Sequence, residues 1–179
     1  MERRSIRGWR KRSACAAAVA AYIAAIGFAN VLVTRYGHAA LPFTAFAIIP
    51  FDMTARNVLH ELWRGPWLIP KMGSLILCGA SVSFLLGGAS LPVCVASFLA
   101  FATSGAVDSL VYQVLFDRTP LVKMNASNGA AAVTDSIVFP VVAFGSLSLP
   151  IMAAQASMKF VGGFVWSLAA RRLVARAAV

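Results

Sequence analysis

Long apolar runs, separated by short polar segments, fill most of the chain. A helix needs about 20 apolar residues to cross a bilayer, and the pattern predicts an all-α, polytopic membrane protein with six transmembrane helices. The second run is short and contains Pro42 and Pro50, so we expect a broken or tilted helix there, followed by a polar segment over Asp52–Lys71. The predicted spans are about Ala14–Thr34, Ala39–Phe51, Met72–Leu86, Leu91–Phe116, Ser127–Leu147 and Leu149–Ala170.

The composition agrees with this class. The chain has 179 residues, of which 60% are hydrophobic and only 12% are charged, whereas about a quarter of the residues of a soluble domain are charged. So few charges cannot cover the surface of a water-soluble domain of this size. The three cysteines, Cys15, Cys78 and Cys94, lie in or beside apolar runs. Their number and spacing predict neither a disulfide framework nor a metal site.

The net charge of +10 comes mainly from residues outside the predicted spans. Basic clusters beside spans are topology signals, and no nucleic-acid-binding motif accompanies them, so we expect no nucleic acid partner. The clusters are Arg3, Arg4, Arg7, Arg10, Lys11 and Arg12 at the start of the chain, and Arg171, Arg172 and Arg176 at its end.

The same charges predict an orientation. With the N-terminus in the cytoplasm, the basic residues between spans fall on the inner side except for Arg35. We therefore expect one integral membrane domain in a cytoplasmic (inner) membrane, with both termini cytoplasmic. The six spans occupy residues 14–170, basic segments cover 1–13 and 171–179, and short outer turns lie at 35–38, 87–90 and 145–150. The inner basic residues are Arg56, Arg64, Lys71, Arg118 and Lys123.

Three ionisable side chains, Asp108, Asp135 and Lys159, lie inside predicted spans. A charge in hydrocarbon persists only when it faces a partner or a watery cavity. One interpretation is a structural ion pair between Lys159 and either aspartate. That pairing leaves one carboxylate over, which must be protonated, hydrated or bound to something. A ligand-binding cavity at mid-membrane explains the surplus better.

Polar residues accompany these three charges at helical spacing. Steps of four and seven residues return to nearly the same face of a helix, so three helices each offer a polar stripe to an interior. The stripes are Ser97, Ser104, Asp108 and Tyr112; Asn128 and Asp135 with Ser136 adjacent; and Gln155 and Lys159. Asn30 is the strongly polar residue near the outer end of the first span. The candidate binding site is formed by Asp108, Asp135, Asn128, Lys159, Ser136, Gln155, Asn30 and Tyr112.

Asp52, Arg56 and His60 step by four along the polar segment. Asp52 could cap a helix and pair with Arg56, or the two could gate a binding site. His60 is expected on a solvated face.

Small residues recur at every fourth position at Ala16, Ala20 and Ala24. Such spacing favours helix packing inside the bundle, with a docking surface for another membrane protein as the alternative.

Several chemistries are excluded by the sequence. It has no glycine-rich phosphate loop, so the chain is not predicted to hydrolyse ATP. His60 and Glu61 are not followed by a second histidine at metal-ligand spacing. The two membrane aspartates lack the glycine-flanked motif of intramembrane aspartyl proteases. We therefore expect no enzyme, no metal and no cofactor.

In its polar motifs and the stretches around them, the chain resembles the queuosine-precursor transporter family, also called the vitamin-uptake-transporter-like family. The resemblance covers most of the chain from Tyr22 to Trp166. Its motifs are an Asp-x-Thr-x-Arg element at Asp52, Thr54 and Arg56, a late pattern at Asn128, Asp135 and Ser136, and the last-helix Lys159. The matching stretches are FANVLVTRYG (28–37), PFDMTARNVLHELW (50–63), ASFLAFATSGAVDSLVYQVL (96–115), SNGAAAVTDSIVF (127–139) and SMKFVGGFVW (157–166).

The resemblance implies a six-helix carrier that imports 7-cyano-7-deazaguanine or a related deazapurine. Its architecture would be similar to the substrate-binding subunits of energy-coupling-factor vitamin importers. Such subunits dock onto a separate ATPase module, which the queuosine-related family is expected to do without. The chemistry fits independently, because the donor edge of a deazaguanine can give two parallel hydrogen bonds to one carboxylate. Phe101, Tyr112 or Phe139 could stack on the ring.

Two other functions stay open at this point. One is a substrate-capture subunit that needs an ATPase partner. The other is a membrane scaffold whose buried charges only pair. A homodimer is equally open, and the expected partners are a deazapurine and the lipid bilayer.

Overall fold

The computed structural model describes residues 2–86, 91–146 and 148–177, and every regular element in these ranges is helical. The predicted outer turn at 87–90 and Leu147 lie outside the described residues. A 3₁₀ turn at Gly37–Ala40 and a π-helical turn at Thr44–Ile48 flank the short helix α2. The α-helices are α1 (Glu2–Tyr36), α2 (Leu41–Phe43), α3 (Ile49–Leu62), α4 (Leu68–Leu86), α5 (Leu91–Val114), α6 (Pro120–Phe144) and α7 (Leu149–Ala177).

Four of these helices are long and apolar enough to span a membrane, which identifies a helical membrane protein. They are Ser13–Tyr36, within α1, and the whole of α4, α5 and α6. The prediction of six such spans is therefore not met by length and composition. The α7 helix is long, but Gln155 and Lys159 interrupt its apolar character. The predicted second span is divided between α2, the π turn and the start of α3.

The polar segment that follows the second span is not a loop. Its first part forms α3, where all residues from Asp52 to Glu61 except Val58 are buried. The α3 helix contacts α1, α4, α5, α6 and α7. Large apolar side chains such as Leu85, Leu110 and Val114 point outward instead, each more than half exposed. The molecule thus encloses the polar residues of α3 and presents apolar groups outward, the arrangement expected inside a bilayer.

Close approach of α7 to the π turn fixes the position of the last helix. A Cβ at Gly162 would collide with the carbonyl of Phe46, so only glycine fits there. Four residues after Gly162, the indole of Trp166 donates to the carbonyl of Ala47, which follows Phe46, at 2.8 Å. This bond supplies an extra donor to the π turn, where the α-helical ladder is interrupted. Glycine at position 162 of α7 lets the two backbones pack closely.

The alanine ridge of α1 behaves differently. Ala16, Ala20 and Ala24 are all exposed, so the expectation that they pack inside the bundle is wrong. Tyr22 and Ile26, on another face of the same helix, are buried against α3 and α4. Bulky side chains, not small ones, hold α1 in place.

Candidate functional site

A buried arginine on α3 lies between two carboxylates. Arg56 Nη2 is 3.7 Å from Asp52 Oδ2, one turn earlier on α3, and Arg56 Nε is 3.5 Å from Asp108 Oδ2 on α5. All three residues are at most 5% exposed. This trio, the Arg56 cluster, carries two negative charges and one positive charge, so one carboxylate has no counterion of its own.

The contacts within the Arg56 cluster are long and leave polar atoms unused. Among the described residues, Asp52 Oδ1, both Asp108 oxygens, and Arg56 Nε and Nη1 have no hydrogen-bond partner. The hydroxyl of Ser127 on α6 donates elsewhere, to Asn57 Oδ1 at 3.4 Å and to the carbonyl of Met124 at 3.2 Å. Buried groups in this state are costly, which points to a function for them.

The shape of α5 makes room for Arg56. A Cβ at Gly105 would lie 2.5 Å from Arg56 Nη1, so glycine lets the guanidinium rest against the α5 backbone. The ring of Phe101, one turn earlier, lies 5.4 Å from the guanidinium carbon, within the range of a cation–π contact. Donors, acceptors and an aromatic face therefore meet at one point inside the bundle.

A second group of polar residues, the Asn128 cluster, is fully bonded and uncharged. Asn128 Oδ1 accepts from Asn57 at 2.9 Å, and its amide nitrogen donates to Thr54 and Ser167 at 3.3 Å each. Gly163 lies against this amide. The cluster ties α3, α6 and α7 together. The hydrogen bonds of Asn128 are thus used inside the protein, and its role in substrate binding stays a prediction.

A third group, the Glu61 cluster, lies where α3 and α5 end and α6 begins. Glu61 pairs with Lys123 of α6, accepts a hydrogen bond from Tyr112 of α5 at 3.0 Å, and pairs with Arg64 at 3.0 Å. Lys123 also faces the rings of Tyr112 and Phe116. Arg56 and Lys123 are thus buried ion-pair partners. The predicted orientation counts both among the inner basic residues, and it stays a prediction.

His60 lies beside this cluster and is 3% exposed, so its predicted place on a solvated face is wrong. Its ring packs 4.7 Å from that of Tyr112. Among the described residues its Nδ1 has no hydrogen-bond partner.

Of the two aspartates considered as partners of Lys159, Asp135 forms the ion pair. The Lys159 ammonium donates to Asp135 at 2.5 Å and to Ser136 at 3.1 Å, which links α7 to α6. Asp135 is still close enough to Asp52 and Arg56 for electrostatic interaction with both. Lys159 therefore pairs with Asp135, whereas the partner of Asp108 is Arg56.

The remaining predicted site residues take local roles. Asn30 donates to the carbonyl of Ile26 in its own helix at 2.8 Å. Tyr112 is bound to Glu61, and Gln155 is half-buried on α7. The predicted polar face of α5 is confirmed for Ser104, Asp108 and Tyr112, which are all buried.

Sequence reasoning missed Asn57, Glu61, Lys123 and Ser167 as buried network members. Asn57 and Glu61 are themselves four residues apart, one position along from Asp52, Arg56 and His60. Two adjacent polar stripes on one helix are the signal that could have found them. Lys123 carries no such signal, because its partner is 62 positions away.

The chain was also compared with known proteins. No protein-family model, no curated protein and no solved structure matches it.

Proposed function

We propose that the chain is a membrane transporter that imports a queuosine precursor, 7-cyano-7-deazaguanine or a related deazapurine, and that the Arg56 cluster binds it. One observation carries this proposal: a buried arginine shared by two carboxylates, with unused donors and acceptors on all three side chains. A purely structural cluster would be expected to bond these groups, as the Asn128 cluster does.

The unused atoms suit the edge of a deazaguanine. Its ring N–H and exocyclic amine can donate in parallel to the carboxylate of Asp108 or Asp52, and its carbonyl oxygen can accept from Arg56. Charge-assisted and bidentate bonds of this kind are the strong ones. Phe101 offers a face for stacking, worth about 1–3 kcal/mol per base in nucleic-acid complexes. A substrate without the amine would leave a carboxylate unpaired and would be rejected.

The other predicted residues take supporting places in this proposal. Asp135 and Lys159 border the site as a neutral pair, and Asn128 holds the helices around it. We further propose that α7 and the stretch from α2 to α3 lie in the bilayer with the four apolar helices. They would complete a six-helix bundle similar to energy-coupling-factor substrate-binding subunits, in the inner membrane with both termini cytoplasmic. Enclosure of their polar groups by neighbouring helices supports this placement.

The test is uptake in a host that lacks its own carrier and cannot make the precursor. Cells given 7-cyano-7-deazaguanine should form queuosine in transfer RNA when they express the chain. Arg56→Gln and Asp108→Asn should each reduce uptake at least about tenfold, the effect of losing about 1.4 kcal/mol of binding. The matched control is Asp117→Asn, an exposed carboxylate between α5 and α6. Normal uptake by both site variants, at equal protein levels in the membrane, would contradict the site assignment.

A substrate-capture subunit that needs an ATPase module is the second candidate. The exposed alanine ridge of α1 favours it, because small outward residues allow another helix to approach closely. Transport by the purified chain alone in liposomes decides between the two. Activity without a partner excludes the capture subunit, and substrate binding without transport favours it.

A further inference from the structure

A groove runs along the outer surface between α1 and α4. Its walls are mostly apolar and include Val19 and Ile23 of α1 and Leu75 of α4, with Cys78 further along α4. Trp67 and Lys71 line its end at the start of α4. The groove has a volume of about 450 Å³, within the range of about 300–1,000 Å³ that is typical of ligand sites.

The position of the groove limits what can occupy it. Both of its walls belong to helices that are long and apolar enough to span a membrane, so its open side faces lipid. Trp67 is 68% exposed, and tryptophan side chains prefer the level of the lipid headgroups. Lys71 is also exposed, and within the described part of the chain it makes no ion pair. An apolar groove that ends at a free ammonium group fits a molecule with a hydrocarbon tail and a negatively charged headgroup.

We propose that this groove is a binding site for an anionic phospholipid. One acyl chain lies along Val19, Ile23 and Leu75. The phosphate accepts from the Lys71 ammonium, and the Trp67 indole N–H is a second donor. Basic residues at the membrane surface attract anionic lipids in this way, and the long lysine side chain can reach the headgroup while its stem stays in the apolar region.

A second groove on the same molecule provides an internal comparison. It lies between α4 and α5, has a volume of about 500 Å³ and is lined by Phe84, Leu85, Phe98 and other uncharged residues. Hydrocarbon fits both grooves, but only the first has a charged residue in its lining. The second groove is therefore expected to hold acyl chains without regard to the headgroup.

Native mass spectrometry of the purified full chain, loaded with phosphatidylglycerol or with phosphatidylcholine, tests the proposal. The chain should retain phosphatidylglycerol about fivefold better, the factor for about 1 kcal/mol per basic residue. Lys71→Gln should remove this preference. Cys78→Trp, which fills the groove, should reduce the retention of both lipids. Trp67→Ala, at an exposed position that leaves the core intact, should weaken the preference without affecting folding.

Arg171→Gln is the matched control, because Arg171 is exposed near the end of α7, outside the groove. Equal retention of the two lipids would overturn the proposal. So would a preference that survives Lys71→Gln, or one that Arg171→Gln removes to the same degree, since the latter would indicate a general effect of surface charge. None of these outcomes depends on transport of a deazapurine.

Discussion

The Arg56 cluster and the Glu61 cluster lie within two turns of each other on α3, yet they are built in opposite ways. Glu61 is held by Lys123, Tyr112 and Arg64 at short distances. Arg56 is 3.5 and 3.7 Å from its two carboxylates, and among the described residues several of the atoms in its cluster have no hydrogen bond.

Glu61 and Lys123 are as buried as the Arg56 cluster, so exposure of these residues does not explain the difference. Glu61 Oε1 accepts from Tyr112 and Lys123, and Oε2 lies 3.0 Å from Arg64 Nε, although Oε2 makes no hydrogen bond among the described residues. A buried carboxylate with a close partner at each oxygen holds elements in place, and its removal leaves an uncompensated charge. A cluster with unbonded donors and acceptors can still form hydrogen bonds to a ligand. The Glu61 cluster is therefore suited to stabilising the bundle and the Arg56 cluster to binding a ligand, and four variants test this difference.

The largest loss of stability is expected from the Glu61 cluster. Glu61→Ala leaves Lys123 buried without its partner, which should lower the free energy of unfolding by about 3–5 kcal/mol. Unfolding in mixed micelles with a denaturing detergent measures this change. The double variant Glu61→Leu with Lys123→Met should recover much of the loss, since replacing a whole buried pair by apolar groups is often neutral. A loss below about 1 kcal/mol for Glu61→Ala, the range of an exposed pair, would contradict the structural role.

The next effect is expected at Gly105, which shapes the Arg56 cluster. A methyl group there would meet Arg56 Nη1 at 2.5 Å and two carbons of Ile76 at 3.1 Å. Gly105→Ala should cost about 1–3 kcal/mol, as overpacking does, and should displace the guanidinium and abolish uptake. Gly73→Ala is the control, because a Cβ at Gly73 meets nothing within 4 Å. Equal uptake by the two variants would mean that the position of Arg56 does not matter.

Asp52→Asn should separate stability from function. The change removes the surplus negative charge but keeps the shape of the side chain. The free energy of unfolding should therefore stay within about 1 kcal/mol of the original, or rise, because a costly buried charge is gone. Uptake should fall at least about tenfold, which corresponds to about 1.4 kcal/mol of lost binding. A large destabilisation with normal uptake would reverse the roles assigned to the two clusters.

Sequence patterns predicted the helical membrane class because apolar runs report contact with lipid directly. They also predicted the buried face of α5 and one of the two pairings considered for Lys159. They could not predict the burial of α3, whose polar residues are typical of a loop or a solvated helix. Its burial depends on enclosure by five other helices, and no local pattern encodes that enclosure.

The partner of Asp108 was missed for a related reason. Arg56 is 52 positions earlier in the chain, in a polar segment assigned to the cytoplasmic side. The surplus carboxylate that the sequence indicated is present, but it belongs to Asp52, Asp108 and Arg56. It does not belong to Asp108, Asp135 and Lys159. Charge balance along the chain predicts a surplus carboxylate, but the pairing of Asp108 with Arg56 depends on how distant helices pack.

The smallest effect is expected at Asn30, the one predicted site residue on α1. Within the described part of the chain its amide donates to the carbonyl of Ile26, four residues earlier in the same helix, a local bond that adds little to a helix already bonded along its backbone. Asn30→Ala should therefore change the free energy of unfolding by less than about 1 kcal/mol, the usual net value of one hydrogen bond, and leave uptake unchanged. Asn57→Ala is the contrast, because it removes the donor that binds Asn128 at 2.9 Å and should cost about 1–3 kcal/mol as a broken buried bond. A fall in uptake for Asn30→Ala at normal stability would extend the binding site to α1, beyond the reach of the Arg56 cluster.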